Sequence, residues 1–151
     1  MNFTSENCEK ILRGEKTMTR RIANPDYVGM DWRGILDHSI DVAGVYDQYN
    51  NRRIWGIGHT YAICPGRGKK AVGRIRITAI RRERLQDITP EDSIREGINI
   101  IPLETNIVPI EVYRIGFIAL WDNIYRSQPA KQWNKNPEVW VLSFELVKGE
   151  I

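Results

Sequence analysis

The sequence predicts an α+β domain, with strands gathered in a mixed sheet or partly open barrel and helices set between them. Runs at 71–82 and 139–147 alternate with a period of two, the mark of strands with one buried face. Residues 109–125 instead space their apolar side chains by three and four, as a helix does. Helix start and stop signals at 5–14 and 89–97 fall between the strand-like runs. At 151 residues the chain has the size of one ordinary domain, and 42% apolar with 27% charged residues suits a packed core. No run approaches the roughly 18 apolar residues of a membrane helix. Residues 1–6 lack the basic and apolar parts of a secretory signal. Cys8 and Cys64 stand alone with no CxxC, which fits a reducing, cytoplasmic setting and leaves one bridge open.

In chain order, residues 5–13 read as a first helix. Ser5 caps it, Glu6 suits its positive start, Cys8, Ile11 and Leu12 form its apolar stripe, and Gly14 stops it. Residues 15–22 read as a turn leading into a strand on which Thr19 and Arg21 share a face. The stretch 23–53 is rich in Pro, Gly, Asp and Asn. It reads as an irregular insertion with a short hairpin over 39–46 ahead of Asn50 and Asn51. Residues 59–64 form a second core strand, and Pro65-Gly66-Arg67-Gly68 turns into the long strand that follows. Thr89, Pro90, Glu91 and Asp92 open a short helix that Gly97 ends. After a loop over 98–108, the helix at 109–125 carries Tyr113, Phe117, Leu120, Trp121 and Ile124 on its stripe. A tryptophan-bearing loop over 127–137 precedes the last strand, where Trp140, Leu142, Phe144 and Leu146 point inward.

The formal net charge is only +3, from 22 basic and 19 acidic residues, but it is unevenly placed. Segment 66–84 holds Arg67, Lys69, Lys70, Arg74, Arg76, Arg81, Arg82 and Arg84 against Glu83 alone, a local +7 that leaves −4 elsewhere. Alternation sets Arg74, Arg76 and Arg82 on one strand face, with cations about 7 Å apart at a rise of about 3.3 Å per residue. That spacing matches phosphates along a nucleic acid strand, so these cations, with Arg67, Lys69 and Lys70 at the turn, are candidate RNA contacts. A solvated strand face accounts for the same pattern. His38 and His59 have no Cys or carboxylate at ligand spacing, and no metal or cofactor is expected. Gly66-Arg67-Gly68-Lys69-Lys70 lacks both the phosphate-loop spacing and a following helix. Trp121 and Trp140 suit the core, while Trp32, Trp55 and Trp133 lie in loops where they can stack on a base.

The most informative run is Gly14-Glu15-Lys16-Thr17-Met18-Thr19-Arg20-Arg21, with Glu96 downstream. It resembles the G-x-K-T-x-T-x-R signature of the ASCH family, whose fold is a PUA-like β-barrel. Leu85-Gln86-Asp87-Ile88 with Glu96-Gly97-Ile98 resembles the family's second block. Phe117, Leu120-Trp121-Asp122, Trp133-Asn134, Asn136-Pro137-Glu138-Val139-Trp140-Val141 and Phe144-Glu145 resemble the carboxy-terminal blocks of phage- and prophage-type members. The resemblance spans nearly the whole chain and implies an α+β, PUA-like β-barrel of mixed strands with flanking helices. It implies a cleft for RNA or a modified nucleoside. From small bacterial members it also implies an amidohydrolase that removes the acetyl group of N4-acetylcytidine. The positions matching their active residues are Lys16, Thr19 and Glu96, and Arg21 matches the signature arginine. The added segment 23–53 distinguishes this chain from those compact hydrolases.

Such a triad is chemically coherent. A threonine hydroxyl becomes a nucleophile once a base takes its proton, and a lysine serves as that base when burial or nearby cations lower its pKa. Glu96 can orient the lysine or pass a proton to the leaving amine. A simple ion pair between Lys16 and Glu96, tying the first strand to the helix, explains the same two residues without chemistry. Three functions therefore stand in order: a protein that holds RNA or a modified nucleoside in a basic cleft, with a potential amidohydrolase centre at Lys16, Thr19 and Glu96; a non-catalytic RNA-binding module; and a ribonuclease.

Overall fold

The computed structural model describes residues 1–99 and 109–149. Strand β7 (Gly73–Arg84) organises it, pairing along most of its length with β8 (Glu138–Leu146). The opposite edge of β7 is shared by β6 (Thr60–Ile63) over its first half and β3 (Asp41–Val42) near its end. On the far side of β8 lies the edge strand β1 (Met18–Ile22), giving the order β1-β8-β7-β3 with β6 beside β7. A second sheet runs β2 (Tyr27–Met30), β4 (Gly44–Asp47), β5 (Arg53–Gly56). Only Ala43 separates β3 from β4, so one stretch of chain passes from the first sheet to the second.

This corrects the expected barrel of mixed strands. The described residues form two sheets and no closed one, and every strand ladder is antiparallel. The one parallel contact among the described residues is an isolated bridge between Asn2 and Cys64. The segment 23–53 is likewise not irregular. Its β2 and β4 pair directly, and β4 turns back to β5 through Asn50 and Asn51, where Asn51 takes φ +58° and Asp47 caps the Tyr49 N–H. Polar turn residues dominate its composition and hide three short strands.

The long strand carries a bulge. Its register on β8 shifts between Ile77 and Ala79, so Thr78 is an extra residue and the faces exchange beyond it. Ile80 therefore joins Ile75 and Ile77 in the core, and Arg82 lies on the face opposite Arg74 and Arg76. The expectation that these three arginines share a face is corrected by that single residue.

Three helices complete the structure. Helix α1 (Ser5–Leu12) is capped by Thr4, whose hydroxyl accepts the Asn7 N–H, rather than by Ser5. Helix α2 (Pro90–Arg95) starts as its sequence predicts, with Thr89 accepting the Asp92 N–H at 3.0 Å. Helix α3 (Glu111–Ile124) buries Phe117 and Trp121 against Met18, Leu85, Ile88, Val139 and Val141. Strand β8 is thus covered on both sides, because Trp140, Leu142 and Phe144 fill the cores on its other face. From residue 100 onward, the expected loop over 98–108 lies outside the described residues. No helix among the described residues is long and apolar enough to cross a membrane.

Candidate functional site

The turn from α1 into β1 is where the GEKTMTRR run does its structural work. Gly14 adopts φ +78°, and the Glu15 and Lys16 N–H groups both donate to the Lys10 carbonyl. The Thr17 N–H then donates to the Arg95 carbonyl at 2.8 Å, docking the turn on the end of α2. Gly97 follows with φ +95°, and a Cβ there would stand 3.2 Å from the Lys16 Cβ. A glycine at this point lets the lysine stem lie flat against the chain.

Lys16 is consequently buried, and its ammonium donates to the Glu96 carbonyl at 2.8 Å and to Glu96 Oε2 at 2.9 Å. Glu96 Oε1 accepts from Arg20 Nη1 at 3.0 Å. The Arg20 side chain is 0% exposed, and its Nη2 reaches Asp92 at 3.1 Å and also bonds Glu83. Arg81 closes the array on Asp92 (2.7 Å) and Glu83 (3.2 Å), and Arg95 holds the second Asp92 oxygen at 3.0 Å. Four cations and three carboxylates thus form one network along β1, β7 and α2.

Burial lowers the Lys16 pKa below the ordinary lysine value. Glu96 opposes the shift, while Arg21 and Lys10 reinforce it. For Asp92 burial acts to raise the pKa, but Arg20 and then Arg81 outweigh it and hold the carboxyl below its usual range. Arg20 itself is desolvated, yet Glu96 and Glu83 keep it firmly protonated.

Arg20 was not among the residues the sequence singled out, although a signal was there. It shares a strand face with Met18 and Ile22, and an arginine in an apolar row must find buried carboxylates. Arg21 does something different. Its Nη2 donates to the Asn2 carbonyl at 2.9 Å, and its guanidinium lies 4.8 Å above the Phe3 ring.

Thr19 is buried on the Arg21 side of β1, opposite Leu142. It lines a small recess of about 60 Å³ with Lys16, Glu96 and Trp121. It also lines a cavity of about 420 Å³ walled by Phe3, Arg21, Trp121 and Tyr125. Asn7, Thr19, Arg20, Trp121 and Ile124 border both, so the recess adjoins the larger space. Leu120 and Ile124, on the apolar stripe of α3, stay exposed and line the recess instead of filling the core. Burial raises the Tyr125 phenol pKa, and Arg21 partly offsets that.

Lys16, Thr19 and Glu96 share the recess and Arg21 lines the adjoining cavity with Thr19, but the other six candidates lie elsewhere. Arg67, Lys69 and Lys70 are exposed on their turn. Arg74 bonds the Thr60 carbonyl and hydroxyl, and Arg76 pairs with Glu145 at 3.5 Å. Arg82 lies 4.5 Å above the Trp140 ring and pairs with Glu138 at 3.2 Å. Ion pairs and the Thr78 bulge therefore break the basic stripe, and none of these six lines the Lys16 recess.

No protein-family model matches the chain, and no curated protein matches it in sequence. Solved structures do match it in three dimensions. A DUF984 family protein from Enterococcus faecalis V583 aligns with a TM-score of 0.55 at 12% identity, covering 94% of this chain and 70% of that one. An ASCH domain from Lactobacillus crispatus JV V101 aligns with a TM-score of 0.52, also at 12% identity, over 93% and 70% of the two chains. At such identity the likeness speaks for architecture alone: the fold of this chain is similar to that of an ASCH domain.

Proposed function

We propose that the protein binds RNA, or a modified nucleoside derived from it, in the cleft beside β1. There it removes an N-acyl group of the kind carried by N4-acetylcytidine, with Lys16, Thr19 and Glu96 as its centre. The observation that carries this reading is a desolvated lysine paired with a carboxylate beside a buried threonine, next to a cavity of about 420 Å³. That volume falls in the range typical of small-molecule sites, and its aromatic and guanidinium walls suit a planar base.

In this mechanism neutral Lys16 takes the Thr19 hydroxyl proton as Oγ1 adds to the acyl carbonyl. The lysine returns that proton to the exocyclic nitrogen as the C–N bond breaks, leaving an acyl ester on Thr19. Water, deprotonated by Lys16 in turn, hydrolyses the ester, releases the carboxylic acid and restores the hydroxyl. Glu96 aims the ammonium, and Arg20 aims Glu96. Purified protein is expected to release acetate and cytidine from N4-acetylcytidine, and Thr19→Ala to lower kcat by about 100-fold or more. The rate should climb with pH toward an ionisation below that of an exposed lysine. A wild-type protein inert toward N4-acetylcytidine and other N-acylated nucleosides overturns the enzyme reading.

A second reading, a non-catalytic RNA-binding module, is favoured by the two Lys16–Glu96 hydrogen bonds, which stabilise the protonated lysine. It predicts RNA affinity that falls steeply with salt and is indifferent to Thr19→Ala. Gel-shift titrations at two salt concentrations separate the two readings.

A further inference from the structure

Arg20 and Arg21 are neighbours on β1 in opposite electrostatic situations. Arg20 is answered by Glu96, Asp92 and Glu83, whereas Arg21 makes no ion pair among the described residues. Glu96, the carboxylate whose charge does reach Arg21, is spent on Lys16 and Arg20. Of the three Arg21 guanidinium nitrogens only Nη2 has a hydrogen-bond partner among the described residues, the Asn2 carbonyl at 2.9 Å. Nε is sealed by the protein without an acceptor, which leaves Nη1 as the nitrogen a ligand can reach.

This half-buried cation lines the cavity of about 420 Å³ beside β1, whose described lining includes two arginines and no carboxylate. Pro65 and Gly66 border the same cavity, and the exposed Arg67, Lys69 and Lys70 follow on their turn. Burial lowers the Arg21 pKa, and Tyr125 and then Glu96 oppose the shift. A guanidinium withdrawn from water without a counter-charge costs stability. The Phe3 ring at 4.8 Å recovers only part of that cost, and an anion at Nη1 recovers more.

The chemistry of that anion follows from what shares the cavity with it, and here the argument rests on the nucleoside reading of this site. Phe3, Trp121 and Tyr125 offer rings to a base. Thr19 and Arg21 lie on one side of β1, about 7 Å apart at a rise of about 3.3 Å per residue, so one ligand can reach both. The anion that a base and sugar carry is a phosphate, and its several oxygens can meet two donors at once. The Tyr125 phenol, which burial keeps protonated, lines the same cavity as a second donor. We infer that the ligand of this cavity is a nucleotide rather than a free nucleoside, and that Arg21 binds its phosphate, whether a terminal monoester or the diester of an RNA strand.

Calorimetric titration of the full chain with cytidine, cytidine 5′-monophosphate and the 5′-hydroxyl dinucleotide cytidylyl-cytidine tests it. At low salt at least one phosphorylated ligand is expected to bind about tenfold or more tightly than cytidine, an advantage that shrinks as salt rises. A tighter monophosphate names a mononucleotide as the source of the phosphate, and a tighter dinucleotide names an RNA strand. Arg21→Gln should remove the advantage and leave cytidine affinity within about twofold, which also shows that the variant folds. Arg21→Lys, which keeps the charge, should retain most of the advantage. Because no acetate release is measured, these outcomes hold whether or not the protein is an amidohydrolase. Equal affinity for all three ligands, or an advantage that survives in Arg21→Gln, overturns the phosphate assignment and leaves the nucleoside reading standing. Binding of none of the three overturns both.

Discussion

A guanidinium sealed from water must be matched in charge and geometry, since several kcal/mol of desolvation stand against it. Arg20 meets that demand with Glu96, Asp92 and Glu83, whereas Arg21 makes one carbonyl hydrogen bond and one ring stack. The two adjacent arginines should therefore differ sharply on substitution. Arg20→Met is expected to cost about 3–5 kcal/mol, because it strands buried carboxylates. Arg21→Ala should cost about 1–2 kcal/mol. Urea unfolding of both variants checks this, and equal losses would remove Arg20 from its central place. Lys16, Thr19 and Glu96 were legible because they sit in or near a recognisable motif. Arg20 was legible only as a charge in an apolar row, and no local rule names its partners 63 to 76 residues away.

Among the elements, the ends of helices were easier to read than the faces of strands. Thr89 with Pro90 carries its own capping chemistry, so α2 begins where its sequence says. At α1 Thr4 and Ser5 are both good caps, and only the folded backbone chooses Thr4. In β7 alternation runs through Thr78 and Ala79, two small residues that suit either face, so nothing local announces a bulge. Yet that bulge turns Ile80 inward and moves Arg82 away from Arg74 and Arg76. Deleting Thr78 is thus expected to destabilise the protein far more than Thr78→Ala, which removes only exposed atoms and should change stability by about 0.5 kcal/mol or less. Comparable urea midpoints for the two variants would contradict the assigned register.

Over the whole molecule, the acidic limb of the stability curve should report the charge network. Asp92 has a folded pKa below its unfolded one, so the folded state binds fewer protons. The stability it contributes is present above the unfolded value of about 3.9 and is lost as pH falls through the folded value. Asp92→Asn is expected to lower stability at neutral pH and to flatten the decline below about pH 4. Denaturation midpoints at pH 7 and pH 3 measure both effects. The exposed Asp31 and Glu15 pairs should add little to that slope, because water screens them.

Local sequence determined the α+β class, the start of α2, the core strands and the eight-residue run that places Lys16 and Thr19 at the edge of a sheet. These depend on periodicity and on side chains close in the chain, and such information is written locally. The open pair of antiparallel sheets, the strands of segment 23–53 and the split of the basic stripe were decided only by the tertiary structure. So were the joining of Glu96 to Lys16 and the cavity beside β1. Each of these depends on pairing between residues far apart in sequence, where one added residue or one distant carboxylate changes which face a side chain occupies and what charge it meets.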